Sequence, residues 1–105
     1  MVLSTCASTE EAERIARQLV QTRLAACVNV LPAMRSIYRW NGVVEDAEEV
    51  LLVIKSSRPL FDELRSEITR LHSYQTPEVI ALPVVDGAEP YLNWLGHELR
   101  AAGEE

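Results

Sequence analysis

Ala12, Ile15, Ala16, Leu19 and Val20 recur at i, i+3, i+4, i+7 and i+8, while Glu10, Glu13, Arg14, Arg17 and Gln18 fall between them. That spacing predicts a helix whose single apolar stripe lies on a sheet. Ser8 and Glu11 supply the S-x-x-E capping box at its start, and Met1 to Thr5 ahead of it reads as a short strand. After the helix the period falls to that of a strand. Ala26 to Leu31 is β-like, Pro32 interrupts it, and Ser36 to Trp40 resumes it before Asn41-Gly42. Asn-Gly supplies both left-handed positions of a type I′ turn, so the chain from Val43 onward is expected to fold back against Trp40 and run to Lys55. The returning strand has two characters: Glu45-Asp46 and Glu48-Glu49 are acidic, whereas Val50 to Ile54 is continuously apolar and reads as covered on both faces.

The second half repeats the alternation. Ser57 is placed to cap a second helix, with Pro59 in its first turn, Leu60, Phe61, Leu64, Ile68 and Leu71 facing inward, and an end near His72. Val79 to Val85 predicts a fourth strand. Pro90 opens a last helix with Leu92, Leu95 and Leu99 on its apolar side, and Gly103 with the two terminal glutamates is expected to fray. The order β-α-β-β-α-β plus a C-terminal helix defines an α+β protein, the split βαβ arrangement, with two helices on one face of an antiparallel sheet. A hairpin from about residue 33 to 55 has arms of about ten residues, longer than the usual five or six, so part of it projects beyond the helices. An arm bearing Tyr38 and Trp40 with unpaired backbone groups needs cover from another chain, which predicts a homo-oligomer.

At 105 residues the chain is read as one domain, 1–105. Sixteen acidic against ten basic residues give a net charge of −6, which repels phosphate backbones and argues against nucleic acid as a partner. No apolar run approaches the roughly 18 residues of a membrane span. MVLSTCAS lacks a basic segment followed by a long apolar one, so the expected location is cytoplasmic. The two cysteines, Cys6 and Cys27, stand in no C-x-x-C pair and fit reduced thiols.

"RLAACVNVLP" at 23–32, "SIYRWNG" at 36–42, "EEVLLVIKS" at 48–56, "PEVIALPV" at 77–84 and "YLNWL" at 91–95 together resemble the CutA family of divalent-cation tolerance proteins, in order and over nearly the whole chain. The resemblance implies a ferredoxin-like fold, a homotrimer built by pairing sheet edges, cytoplasmic residence, and a link to tolerance of copper and other divalent cations. It also implies kinship in architecture with the PII signalling proteins and brings no catalytic activity. The family's cleft signature maps onto Cys27, Trp40, Lys55, His72, Tyr74 and Glu78. In "HSYQTPE" this chain departs from the family's usual pattern: Ser73 stands where proline is usual and Gln75 where glutamate is usual, and the lost carboxylate weakens a metal reading.

Cys27 in an apolar run reads either as a packed thiol or as a soft-metal ligand, and ligation requires a second donor, such as His72, Cys6 or a symmetry-related residue. Cys6 reads as a small residue of a strand-to-helix loop, more open to thiol reagents than to metal. His72 either sits at the negative end of a helix or ligates a cation such as copper. Trp40, Lys55, Tyr74 and Glu78 offer aromatic walls, one cation and one carboxylate, which suits either a small polar ligand or a seam between subunits. His97 reads as solvated, and the acidic run as a solvated strand face, since hard-cation sites use carboxylates converging from a loop. The loop Cys6-Ala7-Ser8-Thr9 lacks the arginine and glycine-rich cradle of acylphosphatases, whose element order is the same, and no catalytic spacing stands elsewhere, so a binding protein is expected rather than an enzyme. The leading expectation is therefore a trimer that binds a metal ion or small ligand at clefts between subunits. The alternative is a structural module that docks a partner protein, with the metal link indirect.

Overall fold

In the computed structural model, which describes residues 1–104, the chain forms β1 (Val2–Cys6), α1 (Thr9–Gln21), β2 (Cys27–Trp40), β3 (Val43–Lys55), a 3-10 turn at Arg58–Leu60 leading into α2 (Phe61–Leu71), β4 (Val79–Ala81) and α3 (Glu89–Glu98). The sheet is antiparallel in the order β2-β3-β1-β4, the split βαβ topology expected from the pattern. Val2, Ser4 and Cys6 of β1 stand opposite Ile54, Leu52 and Val50 of β3, and all six are buried. Beneath the helices they join Ile15 and Leu19 of α1 and Leu64 and Ile68 of α2 to form the core.

Leu51 and Val53, on the opposite face of β3, are only half-buried, and their neighbour Leu31 is 44% exposed. The apolar run Val50 to Ile54 is thus covered on one face by its own chain, not on both as expected, because both core helices pack on the same side. The hairpin is longer than expected, with arms of 14 and 13 residues, and the molecule measures 44 × 29 × 23 Å. Its turn has Asn41 at φ 50° and Gly42 at φ 79°, the two left-handed residues of the predicted I′ geometry.

Pro32 does not divide β2 into two strands. Leu31 pairs with Leu51 and Met34 with Glu49, so Pro32 and Ala33 together oppose one residue, Val50. The missing proline N–H is absorbed by a bulge, and Ala33 adopts φ 63° to make it. β4 ends at Ala81 rather than Val85. Leu82 exchanges backbone hydrogen bonds with Met1, its N–H donating at 2.7 Å and its carbonyl accepting from the terminal ammonium at 3.1 Å, and the next residue, Pro83, has no N–H to give.

Ser57 caps the second helical segment with its carbonyl rather than its side chain, accepting the Leu60 N–H at 3.2 Å. His72 follows Leu71 as the C-cap, as expected. α3 departs furthest from its pattern: none of its described residues is buried. Leu92 lies on Gly87, where a Cβ would come within 3.1 Å of the leucine side chain, and Leu99, past the helix end, is the apolar residue that reaches the core. The helix is held by Arg23, whose Nη2 and Nε donate to the carbonyls of His97 and Glu98 at 2.7 and 2.9 Å, a C-cap supplied from another element. Gly103, expected to fray, donates its N–H to Glu63 Oε2 at 2.9 Å, and Arg100 pairs with the same carboxylate at 3.0 Å. Of the two terminal glutamates, Glu105 lies outside the described residues.

The bulge yields a prediction about strain. A left-handed alanine costs about 1–2 kcal/mol, and glycine in its place gives back about 0.4–1 kcal/mol through the unfolded state. Ala33→Gly is therefore expected to stabilise the protein by about 0.5–1 kcal/mol. Urea denaturation at matched protein concentration reads the change; a lower midpoint means that Ala33 carries no such strain.

Candidate functional site

The C-terminal end of β1, the first turn of α1 and the segment after α2 meet at one corner of the sheet. The Cys6 thiol, a carboxylate oxygen of Glu11 and a ring nitrogen of His72 lie within 4.8 Å of one another. Each residue is there for a local reason. Cys6 is the last residue of β1 and alternates onto the helix-covered face, where it is fully buried. Glu11 is the third position of α1: the Ser8 side chain accepts the Glu11 N–H at 3.1 Å, and Glu11 Oε1 reaches back to the Ala7 N–H at 3.3 Å, so the capping box aims its carboxylate at the end of β1. His72 stands where α2 ends and the chain turns extended.

Hydrogen bonds lock this corner. His72 Nε2 lies 2.7 Å from the Thr5 carbonyl, and the Tyr74 N–H donates to Nδ1 at 3.0 Å. A carbonyl only accepts and an amide N–H only donates, so the network assigns the neutral tautomer with its proton on Nε2. Glu11 Oε2 accepts the Ser73 N–H at 2.8 Å. Tyr74 stacks beside His72, with ring centroids 4.7 Å apart, and its hydroxyl donates to Glu49 Oε2 at 2.9 Å. The Ser4 hydroxyl donates to the Glu78 carbonyl at 2.6 Å.

These contacts set the proton affinities. Burial, with the Glu11 and Glu49 carboxylates nearby, pushes the Cys6 thiol up to about 12. Burial pushes the Tyr74 hydroxyl up as well, reinforced by its bond to Glu49. Burial opposes ionisation of Glu11, yet the hydrogen bonds from Ser73 and Ala7 win and hold its carboxyl below the ordinary value. Cys6 is therefore a protonated, enclosed thiol. The expectation of a loop cysteine open to thiol reagents is corrected: the strand runs one residue further than predicted and carries Cys6 into the core.

The other candidates are distributed. Cys27 opens β2 opposite Lys55, on the face of the sheet that the helices leave open, and is half-buried; both cysteines are free thiols. Cys27 and His72 do not meet within one chain. His72 bonds Thr5, which pairs with Leu51, four residues along β3 from Lys55 or about 13 Å. Lys55 Nζ is engaged by the Asn29 side chain. Trp40, at the hairpin tip opposite Val43, is 57% exposed and stands twelve residues along β3 from Lys55, about 40 Å away. Tyr74 lies between them at Glu49, and the Glu78 side chain is exposed. A pocket joining all four needs more than one chain. His97 is exposed, as expected.

The acidic run is not uniformly solvated. Asp46 pairs with Arg35 at 2.9 Å across the hairpin, and Glu49 turns inward to Tyr74. Sequence reasoning passed over Glu11 and Glu49 as site residues. For Glu11 the signal was present, because a capping-box glutamate must point back over the end of the preceding strand.

A thiol, a carboxylate and an imidazole form a mixed donor set suited to zinc or copper rather than calcium or magnesium. A split βαβ protein with such a corner belongs among candidate divalent-cation binders. Residues 1–98 match the family model for the CutA1 divalent ion tolerance protein, and the chain belongs to that family. It is 46% identical over 95 residues to the divalent-cation tolerance protein CutA of Thermus thermophilus, covering 90% of this chain and 92% of that one. It is 40% identical over 100 residues to the chloroplastic protein CutA of Arabidopsis thaliana, covering 95% of this chain but only 55% of that longer relative. The solved structure of the Thermus thermophilus protein superposes with a TM-score of 0.93 at 44% identity, over 94% of this chain and 96% of that one. None of these names carries an enzymatic activity.

Glu11→Ala leaves the Ser73 and Ala7 N–H groups without their acceptor and is expected to cost about 1–3 kcal/mol at neutral pH. The folded-state pKa of Glu11 is depressed, so its contribution is present above the ordinary carboxylate value of about 4.3 and is lost as pH falls through the folded value. Denaturation curves of the two proteins should differ at pH 7 and converge in acid. A gap of constant size across that range would show that the charge of Glu11 plays no part.

Proposed function

We propose that this protein serves divalent-cation tolerance by holding a soft or borderline cation such as copper(II) at the Cys6–Glu11–His72 corner, within a cytoplasmic homotrimer. The observation that carries the reading is the convergence of three chemically suited donors within 4.8 Å. Cys6 would supply a thiolate, His72 an imidazole nitrogen and Glu11 a carboxylate oxygen. Binding displaces the thiol proton, and it replaces one of the two hydrogen bonds of the His72 ring.

Three features support assembly. Leu3, Leu31, Leu51 and Val53 leave an apolar sheet face half-covered, residues 83–87 lie in no helix or strand, and Val84 and Val85 are 56% and 93% exposed. A trimer burying well over about 800 Å² per partner would cover these surfaces. It would also give Cys27, Trp40, Lys55 and Glu78 neighbours from other chains, forming the clefts expected from the sequence for a second donor set or a small ligand. The docking alternative has its own support in the hairpin tip, where Ile37, Trp40, Val43 and Val44 are 75, 57, 56 and 62% exposed. There a partner protein, in a PII-like signalling role, would meet an apolar surface.

Calorimetric titration of copper(II) into the reduced protein tests the leading reading. Saturable binding is expected that Cys6→Ser or His72→Ala abolishes and Cys27→Ser leaves in place. Because the Cys6 thiol is protonated throughout the neutral range, apparent affinity should rise with pH by about tenfold per unit. Weak binding that survives Cys6→Ser and His72→Ala would instead favour the docking surface. Sedimentation equilibrium at micromolar concentration checks the assembly; a monodisperse monomer removes the trimer and the clefts with it.

A further inference from the structure

Cys6 is fully buried at the corner where the proposed cation would bind, so something must move before any solute reaches its sulfur. Against the thiol lies His72, the first residue of the segment His72 to Glu78, which lies between α2 and β4 and has no regular secondary structure. It is attached to three different elements. His72 bonds the Thr5 carbonyl of β1, the Ser73 N–H bonds Glu11 of α1, the Tyr74 hydroxyl bonds Glu49 of β3, and the Glu78 carbonyl accepts the Ser4 hydroxyl of β1.

The Tyr74–Glu49 bond differs from the other three in kind. It joins two side chains, so it can break without moving the segment's backbone, and Glu49 is a buried carboxylate one residue past the stretch of β3 that pairs with β1. Tyr74 also supplies both the N–H on His72 Nδ1 and the ring lying against the imidazole. Swinging the Tyr74 side chain outward therefore removes the ring contact and leaves its backbone N–H as the one hold that Tyr74 keeps on His72. Beside Glu49 the surface opens into a shallow cleft lined by Ala7, Ser8, Thr9, Ala33 and Glu48. Ala7 is the neighbour of Cys6, so the cleft reaches the outer side of this contact.

The geometry points to the segment 72–78 as a lid over the Cys6 thiol, with the Tyr74–Glu49 hydrogen bond as its latch. Opening of the lid governs access of cations and small electrophiles to the Cys6–Glu11–His72 corner. The metal part of this inference rests on the proposed function; the lid itself does not.

The test measures alkylation of Cys6 by iodoacetamide, with every protein carrying Cys27→Ser so that one thiol is read. Local opening is expected to give a slow rate that depends weakly on low concentrations of urea, because little surface is exposed. Tyr74→Phe removes the latch and keeps the ring, and should raise the rate by about tenfold or more, the factor for a hydrogen bond to a charged group. Glu49→Gln retains an acceptor but no charge and should give a smaller rise, which serves as the second measurement if Tyr74→Phe folds poorly. An unchanged rate in both variants, or a rate that tracks global unfolding in urea, overturns the lid. Copper(II) titration of the Tyr74→Phe protein separates the two readings. Faster alkylation with specific copper binding supports both, whereas faster alkylation without it upholds the lid and sinks the metal site.

Discussion

The structure turns on where β3 stops having two neighbours. From Val50 to Ile54 it is paired with β1 on one side and β2 on the other, and Leu52 and Ile54 pass beneath both core helices. From Val43 to Glu49 it has β2 alone. The bulge at Pro32–Ala33 opposes Val50, at the junction itself, so the hairpin changes twist where it leaves the core. Glu49 is the first residue beyond the doubly paired part and turns to Tyr74; Cys6 is the β1 residue paired with Val50. The projecting arm and the buried corner are thus two consequences of one boundary.

Much of this was legible in the chain. The helical stripe of α1, the Asn-Gly turn and the alternation of elements follow from local chemistry, and they fixed the topology because split βαβ connectivity leaves few ways to pack two amphipathic helices. What local pattern could not settle was pairing. Val79 to Val85 reads as a full strand by composition, but a strand also needs a neighbour, and the ladder between β1 and β4 ends with Val2 opposite Ala81. Val50 to Ile54 reads as doubly covered, yet the chain covers only one face of it, because both core helices pack on the same side. Leu92 and Leu95 of α3 misled in the same way.

The candidate corner was half visible. His72 and Tyr74 came from the resemblance and their setting from the end of α2, but their partners came from three elements remote in sequence. Cys6 was misread by a one-residue error at a strand end. In a period of two, that is enough to turn a loop thiol into a core thiol. By local pattern Glu11 reads as part of a cap and Glu49 as part of a solvated acidic strand face. Glu11 performs its role and also reaches Ser73, whereas Glu49 leaves the solvated face for Tyr74, and spacing along the chain encodes neither contact.

The enclosure of Cys6 also bears on chemical durability. Peroxides and disulfides react with accessible thiolate, and a thiol that is both shielded and firmly protonated offers them almost none. A soft donor stored in this form passes through an oxidising episode without becoming a sulfenic acid or a mixed disulfide. The half-buried Cys27, on the uncovered face of the sheet, lacks that shielding in the isolated chain and is the sulfur at which oxidative damage would first be recorded.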